Sequence, residues 1–233
     1  MGTIVGTNGP DVIRGTRGDD AIRAGAGSDV IRGRGGRDSI CAGSGDDHAF
    51  GGSGADVVRG QSGQDALEGM AGPDQVQGNH GNDEVSLGRG RDTNWSRESV
   101  WVAREPGNDV IRGGPGNDHV GSGEGDDAVF GGPGRDYLGD RDGDGSCCGG
   151  IAWLKGSDRL RGGAGADGLV GSRGPAQIFG GSGEDRMCGG PSGDHIDGGP
   201  DRDGADGDGT TGHRYTGDSF TAVERKLRYC FAT

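Results

Sequence analysis

Aspartate returns every nine residues from Asp11 to Asp92, through Asp20, Asp29, Asp38, Asp47, Asp56, Asp65, Asp74 and Asp83. The series resumes after a break as Asp109, Asp118, Asp127 and Asp136, and after a second as Asp158, Asp167, Asp185, Asp194 and Asp203. A carboxylate is a hard, anionic oxygen donor, and its return at fixed spacing is the chemistry of a cation site. Of the 37 acidic residues 30 are Asp, the shorter side chain and the one that favours turns. All the aspartates in the series are candidate metal ligands. Three stand in weaker copies: Ala176 replaces the carboxylate one coil from both Asp158 and Asp194, and Asp201 replaces the glycine before Asp203.

The other reactive side chains form no comparable pattern. His48, His80, His119, His195 and His213 are scattered, with no H-E-x-x-H pair and no cysteine at zinc spacing. Neither a nucleophile elbow nor a phosphate loop is present. Asp140, Asp142, Asp144 and Gly145 match the opening of an EF-hand loop, but Ile151 stands where the bidentate glutamate belongs. That stretch is an irregular calcium loop or a plain acidic loop. Arg14, Arg23, Arg32, Arg59, Arg112 and Arg161 recur at one repeat position and read as a solvated face balancing the aspartates, with an anion- or polysaccharide-binding strip as the sharper alternative. Trp95, Trp101 and Trp153 sit at the breaks and are expected to fill irregular packing. Cys41, Cys147, Cys148, Cys188 and Cys230 are odd in number, and their connectivity is not readable from spacing.

Two further columns keep phase with the aspartates. Glycine stands two residues before each Asp of the first block, from Gly9 to Gly90, and an aliphatic residue follows two after, from Ile13 to Val85. The unit is G-G-x-G-x-D-x-U-x with U aliphatic, cleanest in GGSGADVVR (51–59) and close in GGPGNDHVG (113–121) and GGSGEDRMC (180–188). The tripeptide x-U-x suits a short strand with U inward and its neighbours outward. The six residues before it suit a turn, where glycine allows close backbone approach. One strand and one turn make half a circuit, so two nonapeptides close a coil and strand i stacks on strand i+2 at about 4.8 Å in a parallel sheet. Asp is then stacked on Asp. Such carboxylates repel, and a Ca²⁺ between successive turns, taking about six to eight oxygens at roughly 2.3–2.6 Å, reverses the sign. Pairs one coil apart allow about ten ions, and about six or seven would cancel the formal charge of −13.

The repeat resembles the RTX family, the haemolysin-type calcium-binding nonapeptide repeat, over roughly residues 6–206. The resemblance implies an all-β fold, a right-handed parallel β-roll or β-helix with several bound Ca²⁺ ions. It also implies a bacterial secreted or cell-surface protein. The expected organisation is a roll over residues 1–206 with irregular breaks near 96–103 and 140–155, closed by a cap over 207–233 that forms a short strand or helix.

Composition narrows the remainder. Glycine supplies 58 of 233 residues and apolar residues only 28%, too little for a wide side-chain core. Glycine does not fall every third residue, which excludes collagen. No apolar run is long enough to span a membrane, and the acidic balance disfavours nucleic acid. The start, MGTIVGTNGP, has neither the basic nor the apolar region of a signal peptide, and the repeat begins by residue 6, so a lost amino-terminal part is expected. The expected function is calcium binding by a non-enzymatic extracellular or cell-surface module that is unfolded without metal. The alternative is an accessory part of a secreted protease, lipase or epimerase whose catalytic domain lies elsewhere. A glycan- or ice-binding face is a third reading, disfavoured by the irregular outward positions.

Overall fold

The computed structural model describes residues 2–93, 107–121, 123, 125–139, 156–171, 174–189, 193–206, 219–221 and 225–226. All regular structure among them is strand, and no helix is long and apolar enough to cross a membrane. The chain divides into two compact units, residues 1–115 and 116–233.

The first unit comprises β1 (Gly2–Val5), β2 (Val12–Arg14), β3 (Asp20–Ala26), β4 (Val30–Gly35), β5 (Ser39–Ser44), β6 (His48–Ser53), β7 (Val57–Ser62), β8 (Ala66–Ala71), β9 (Gln75–His80), β10 (Glu84–Ser86) and β11 (Val110–Arg112). They alternate between two parallel sheets, β1-β3-β5-β7-β9 and β2-β4-β6-β8-β10-β11. The second unit comprises β12 (His119–Val120), β13 (Ala128–Pro133), β14 (Tyr137–Gly139), β15 (Arg159–Ala164), β16 (Gly168–Val170), β17 (Gln177–Ser182), β18 (Arg186–Cys188), β19 (His195–Asp197), β20 (Gly204–Asp206), β21 (Ser219–Thr221) and β22 (Arg225–Lys226). Its sheets run β12-β14-β16-β18-β20-β22 and β13-β15-β17-β19-β21. Each unit is thus a parallel β-solenoid in which a strand pairs with the strand one circuit away.

The register follows the aliphatic column. Ile22 pairs Ile40, Ile40 pairs Val58 and Val58 pairs Val76 in one sheet, while Ile31, Ala49, Leu67, Val85 and Ile111 stack in the other. In the second unit Leu160 pairs Ile178 and Ile178 pairs Ile196. These side chains are buried and form a core one residue thick on each side. A slip of one residue would turn the whole column outward, which is why the phase is held so strictly.

β3 to β9, β13, β15 and β17 run six or seven residues, beyond the three that x-U-x predicts, whereas β2, β10, β11, β14, β16 and β18 to β21 keep to three. β6 runs six residues, with Gly51 buried after Phe50 and the chain still paired at Ser53. Hydrogen bonding continues into the turns: the Gly45 N–H donates to Ser62 O at 2.8 Å and the Gly63 N–H to His80 O at 3.0 Å. The backbone bends between these bonds because the second repeat position is left-handed, as at Gly43 and Gly52, so the ladder survives the corner.

Neither break destroys the register. β10 pairs β8 on one side and β11 on the other, with Glu84 opposite both Ala66 and Val110. In the second unit Ala128 pairs Arg159 and Tyr137 pairs Gly168. The described strands on either side of each break are in phase. Trp95, Trp101, Trp153, Cys147, Cys148, Cys230, His213 and the Asp140–Asp144 loop lie outside the described residues. From the carboxy-terminal segment, β21 pairs β19 and β22 pairs β20.

Candidate metal centre

Each turn carries its aspartate inward at the sixth repeat position. From Asp20 onward these side chains are at most 5% exposed. One carboxylate oxygen is used by the fold. Asp20 N–H donates to Asp38 Oδ1 at 2.9 Å, Asp38 to Asp56 at 2.8 Å, and Asp56 to Asp74 at 2.9 Å. The other series runs Asp29 to Asp47, Asp47 to Asp65 and Asp65 to Asp83, at 2.8, 2.9 and 2.9 Å. The breaks do not interrupt it: Asp83 donates to Asp109 at 2.8 Å, Asp127 to Asp158 at 3.3 Å, and Asp136 to Asp167 at 2.8 Å. Asp118 donates to Asp136, Asp167 to Asp185 and Asp185 to Asp203 at 2.9, 2.9 and 3.0 Å. Ala176 keeps the backbone half of this ladder, its N–H donating to Asp194 Oδ1 at 2.9 Å, but offers no carboxylate of its own.

The second oxygen is different. Oδ2 of Asp29, Asp38, Asp47, Asp56, Asp65, Asp74, Asp83, Asp136, Asp167 and Asp185 is buried and meets no hydrogen-bond donor. A buried carboxylate oxygen without a donor is costly, and its repetition identifies a missing positive partner. The surroundings supply further oxygen. The place a Cβ would take on Gly131 is 2.6 Å from Asp136 Oδ2 and 2.6 Å from Gly162 O. On Gly51 it is 2.8 Å from Asp56 Oδ2 and 3.0 Å from Gly69 O, and on Gly180 it meets Asp185 Oδ2 with Gly198 O at 2.5 Å. The first-position glycine thus leaves a cradle where a carboxylate and the carbonyl of the next coil converge. Ala24, Ala42 and Leu87 stand at that position in three turns.

Electrostatics agree with the geometry. Burial, with the charges of Asp83 and Asp47 adding to it, pushes Asp65 up to about 7 against the downward pull of the Asp47 N–H. Asp74, Asp136 and Asp185 also rise to about 7, and Asp47 and Asp109 to about 6, with burial the largest cause in each. Asp38, Asp56, Asp83, Asp92 and Asp167 are raised by the same burial. Among the described residues no three carboxylate, imidazole or thiol side chains converge. A bound ion would therefore draw on backbone carbonyls as much as on carboxylates, an oxygen-only set suited to Ca²⁺.

Sequence reasoning missed a second column. Asp19, Asp46, Asn82, Asn117 and Asp126 precede the buried series and accept N–H bonds one coil on, from Arg37, Gln64, Asn108, Arg135 and Ser157, at 2.8–2.9 Å. The arginines lie outward and are absorbed by their neighbours. Arg32 sits 5.2 Å over the Phe50 ring, Arg161 5.0 Å over Phe179, Arg59 bonds Gln77 at 3.2 Å and Arg112 pairs Glu84 at 2.8 Å. The outward histidines meet aromatic neighbours, His48 tilted against Phe50, and His119 and His195 edge-on to Tyr137 and Phe179. Cys41 carries a free thiol.

No curated protein matches the chain at a significant level. A family model described as the RTX calcium-binding nonapeptide repeat matches residues 5–40, 42–67, 60–93, 105–138, 154–178 and 170–205. RTX repeats bind several Ca²⁺ ions per domain, as the unpartnered oxygens of these turns require. The buried carboxylate ladders, the glycine cradles and matches along most of its length place this chain in the RTX calcium-binding repeat family.

Proposed function

We propose that this chain is a non-enzymatic extracellular or cell-surface module that folds on binding calcium. The observation that carries the reading is the set of buried Oδ2 atoms without a donor, at Asp29 to Asp83 and at Asp136, Asp167 and Asp185. In the unfolded chain these oxygens are hydrated. Folding strips the water and stacks the charges, and a divalent cation offsets both costs, so calcium affinity becomes folding free energy. The ligands are drawn from the aspartates whose Oδ2 meets no donor, Asp29 to Asp83 with Asp136, Asp167 and Asp185, together with carbonyls of the glycine turns. The calcium roll spans residues 1–206, and 207–233 caps it through strands β21 and β22.

The compartment follows from affinity. Extracellular calcium modules work at about 10⁻⁴–10⁻³ M. In that range the chain stays open at cytosolic calcium and closes after export, in keeping with RTX proteins being typically secreted.

The test is far-UV circular dichroism of the full chain, started in chelator and titrated with calcium, with magnesium as control. A cooperative coil-to-β transition near millimolar calcium is expected. Magnesium should not substitute, because it demands near-octahedral geometry and dehydrates reluctantly. A full β-spectrum retained in excess chelator would overturn the proposal.

A further inference from the structure

The first two turns are built differently from those that follow. In the turn 6–11 the Thr7 N–H donates to Asp11 Oδ2 at 2.6 Å, and the Thr7 hydroxyl lies 3.0 Å from the same oxygen. In the turn 15–20 the Thr16 N–H donates to Asp20 Oδ2 at 2.6 Å, with its hydroxyl at 2.9 Å. Each hydroxyl also accepts the N–H of the fourth-position glycine, Gly9 at 3.2 Å and Gly18 at 3.1 Å. The oxygen that meets no donor in Asp29, Asp38, Asp47 and Asp56 here accepts the threonine N–H and lies within reach of its hydroxyl, whose one hydrogen also faces Gly9 O at 3.2 Å or Gly18 O at 3.1 Å.

The backbone changes with the side chain. From Gly25 to Gly88 every second-position residue is left-handed, including the non-glycines Arg34, Gln61, Met70 and Asn79. Thr7 and Thr16 are not. A β-branched residue resists positive φ more than an unbranched one, so threonine selects the other turn, and that turn aims its N–H at the carboxylate. The cradle oxygens remain: the Cβ place on Gly15 is 2.8 Å from Asp20 Oδ2 and 2.6 Å from Gly33 O. What differs is that donor hydrogens point at Oδ2, and a cation cannot share that side of the oxygen with them.

We propose that Thr7 and Thr16 close the first two turns with protein hydrogen bonds in place of metal. Asp11 and Asp20 are then structural acceptors, no ion seats between turns 6–11 and 24–29 or between 15–20 and 33–38, and the two calcium columns begin at Asp29 and Asp38. The inference rests on the calcium reading above and assigns where its sites start.

The experiment is calcium stoichiometry by equilibrium dialysis on the full chain, comparing Asp20→Asn and Asp11→Asn with Asp65→Asn, and Thr16→Gly with Thr16→Ser. Asp65→Asn should lower the number of bound ions, while Asp20→Asn and Asp11→Asn leave it unchanged. Thr16→Gly should add a site at the Asp20–Asp38 pair, and Thr16→Ser, which keeps the hydroxyl, should not. A loss of bound calcium in Asp20→Asn equal to that in Asp65→Asn would overturn the inference, whether or not Thr16→Gly folds. A wild-type chain that binds no calcium would instead overturn the functional reading beneath it.

Discussion

Asp47 donates its backbone N–H to Asp65 Oδ1 at 2.9 Å, while Asp65 Oδ2, buried beside it, meets no donor. The two oxygens of one carboxylate therefore serve separate ends, one tying coil to coil and the other awaiting a cation. Substitutions can part them. Asp65→Asn retains a carbonyl oxygen for the Asp47 N–H but removes the charge, so it should weaken calcium binding while the folded state at saturating calcium survives. Asp65→Ala removes both and leaves a buried N–H unpaired, a further cost of about 1–3 kcal/mol. Calcium titration followed by denaturant unfolding of each variant separates the two effects.

Acidity should act in opposite directions on the metal-free and metal-bound forms. Without metal, burial above all raises the folded-state values of Asp65, Asp74, Asp136 and Asp185 to about 7, from 3.8 for an ordinary Asp. The folded chain then binds protons more tightly than the unfolded one, so this contribution is complete below about pH 4 and is lost as pH rises through 6–7. In calcium-free buffer, β-content should therefore be greater near pH 4 than at pH 8. With calcium present, protons compete for the same oxygens, and the calcium midpoint should rise as pH falls below about 7. Circular dichroism across pH with and without calcium checks both signs.

Met70 is 47% exposed and held at a φ of 78°, in a place where most turns carry glycine. A left-handed residue with a Cβ costs roughly 1–2 kcal/mol, which glycine avoids at some expense in unfolded-chain entropy. Met70→Gly should stabilise the calcium form by up to about 1 kcal/mol. Gly52→Ala, at the equivalent corner with a φ of 121°, should destabilise by more than that. Denaturant midpoints at fixed calcium measure each.

A methyl group can test the cradle directly. Gly131→Ala sets a Cβ 2.6 Å from both Asp136 Oδ2 and Gly162 O, in the space the cation is expected to need. Calcium stoichiometry should fall, and the loss should persist at concentrations that saturate the wild-type chain. Unchanged stoichiometry would move the cation away from the first-position glycine.

The sequence was most legible where one side chain repeats one job. The alternation between Asp56, Val58 and Gly60 dictates inward positions, and nine-residue spacing dictates two sheets. The longer strands exceed expectation because the x-U-x pattern stops where Gly51 begins, yet glycine with a left-handed neighbour continues the ladder without any hydrophobic signal. The division of labour between Oδ1 and Oδ2 was invisible, since it depends on which backbone N–H lies one coil away. Thr7 and Thr16 were visible as GTxG where the cleanest copy reads GGSG, but their meaning emerged only from the direction of two N–H groups.

Most circuits return to their starting ladder after 18 residues, but the one from Asp83 to Asp109 takes 26 and those spanning 127–158 and 136–167 take 31. The aspartate ladder on either side is unaffected. A solenoid whose coils are indexed by neighbours rather than by chain length confines an insertion to the coil that receives it. Evolution can therefore lengthen such a coil, or an engineer can splice a foreign peptide into it, as one adds a page to a ring binder: the remaining leaves keep their places.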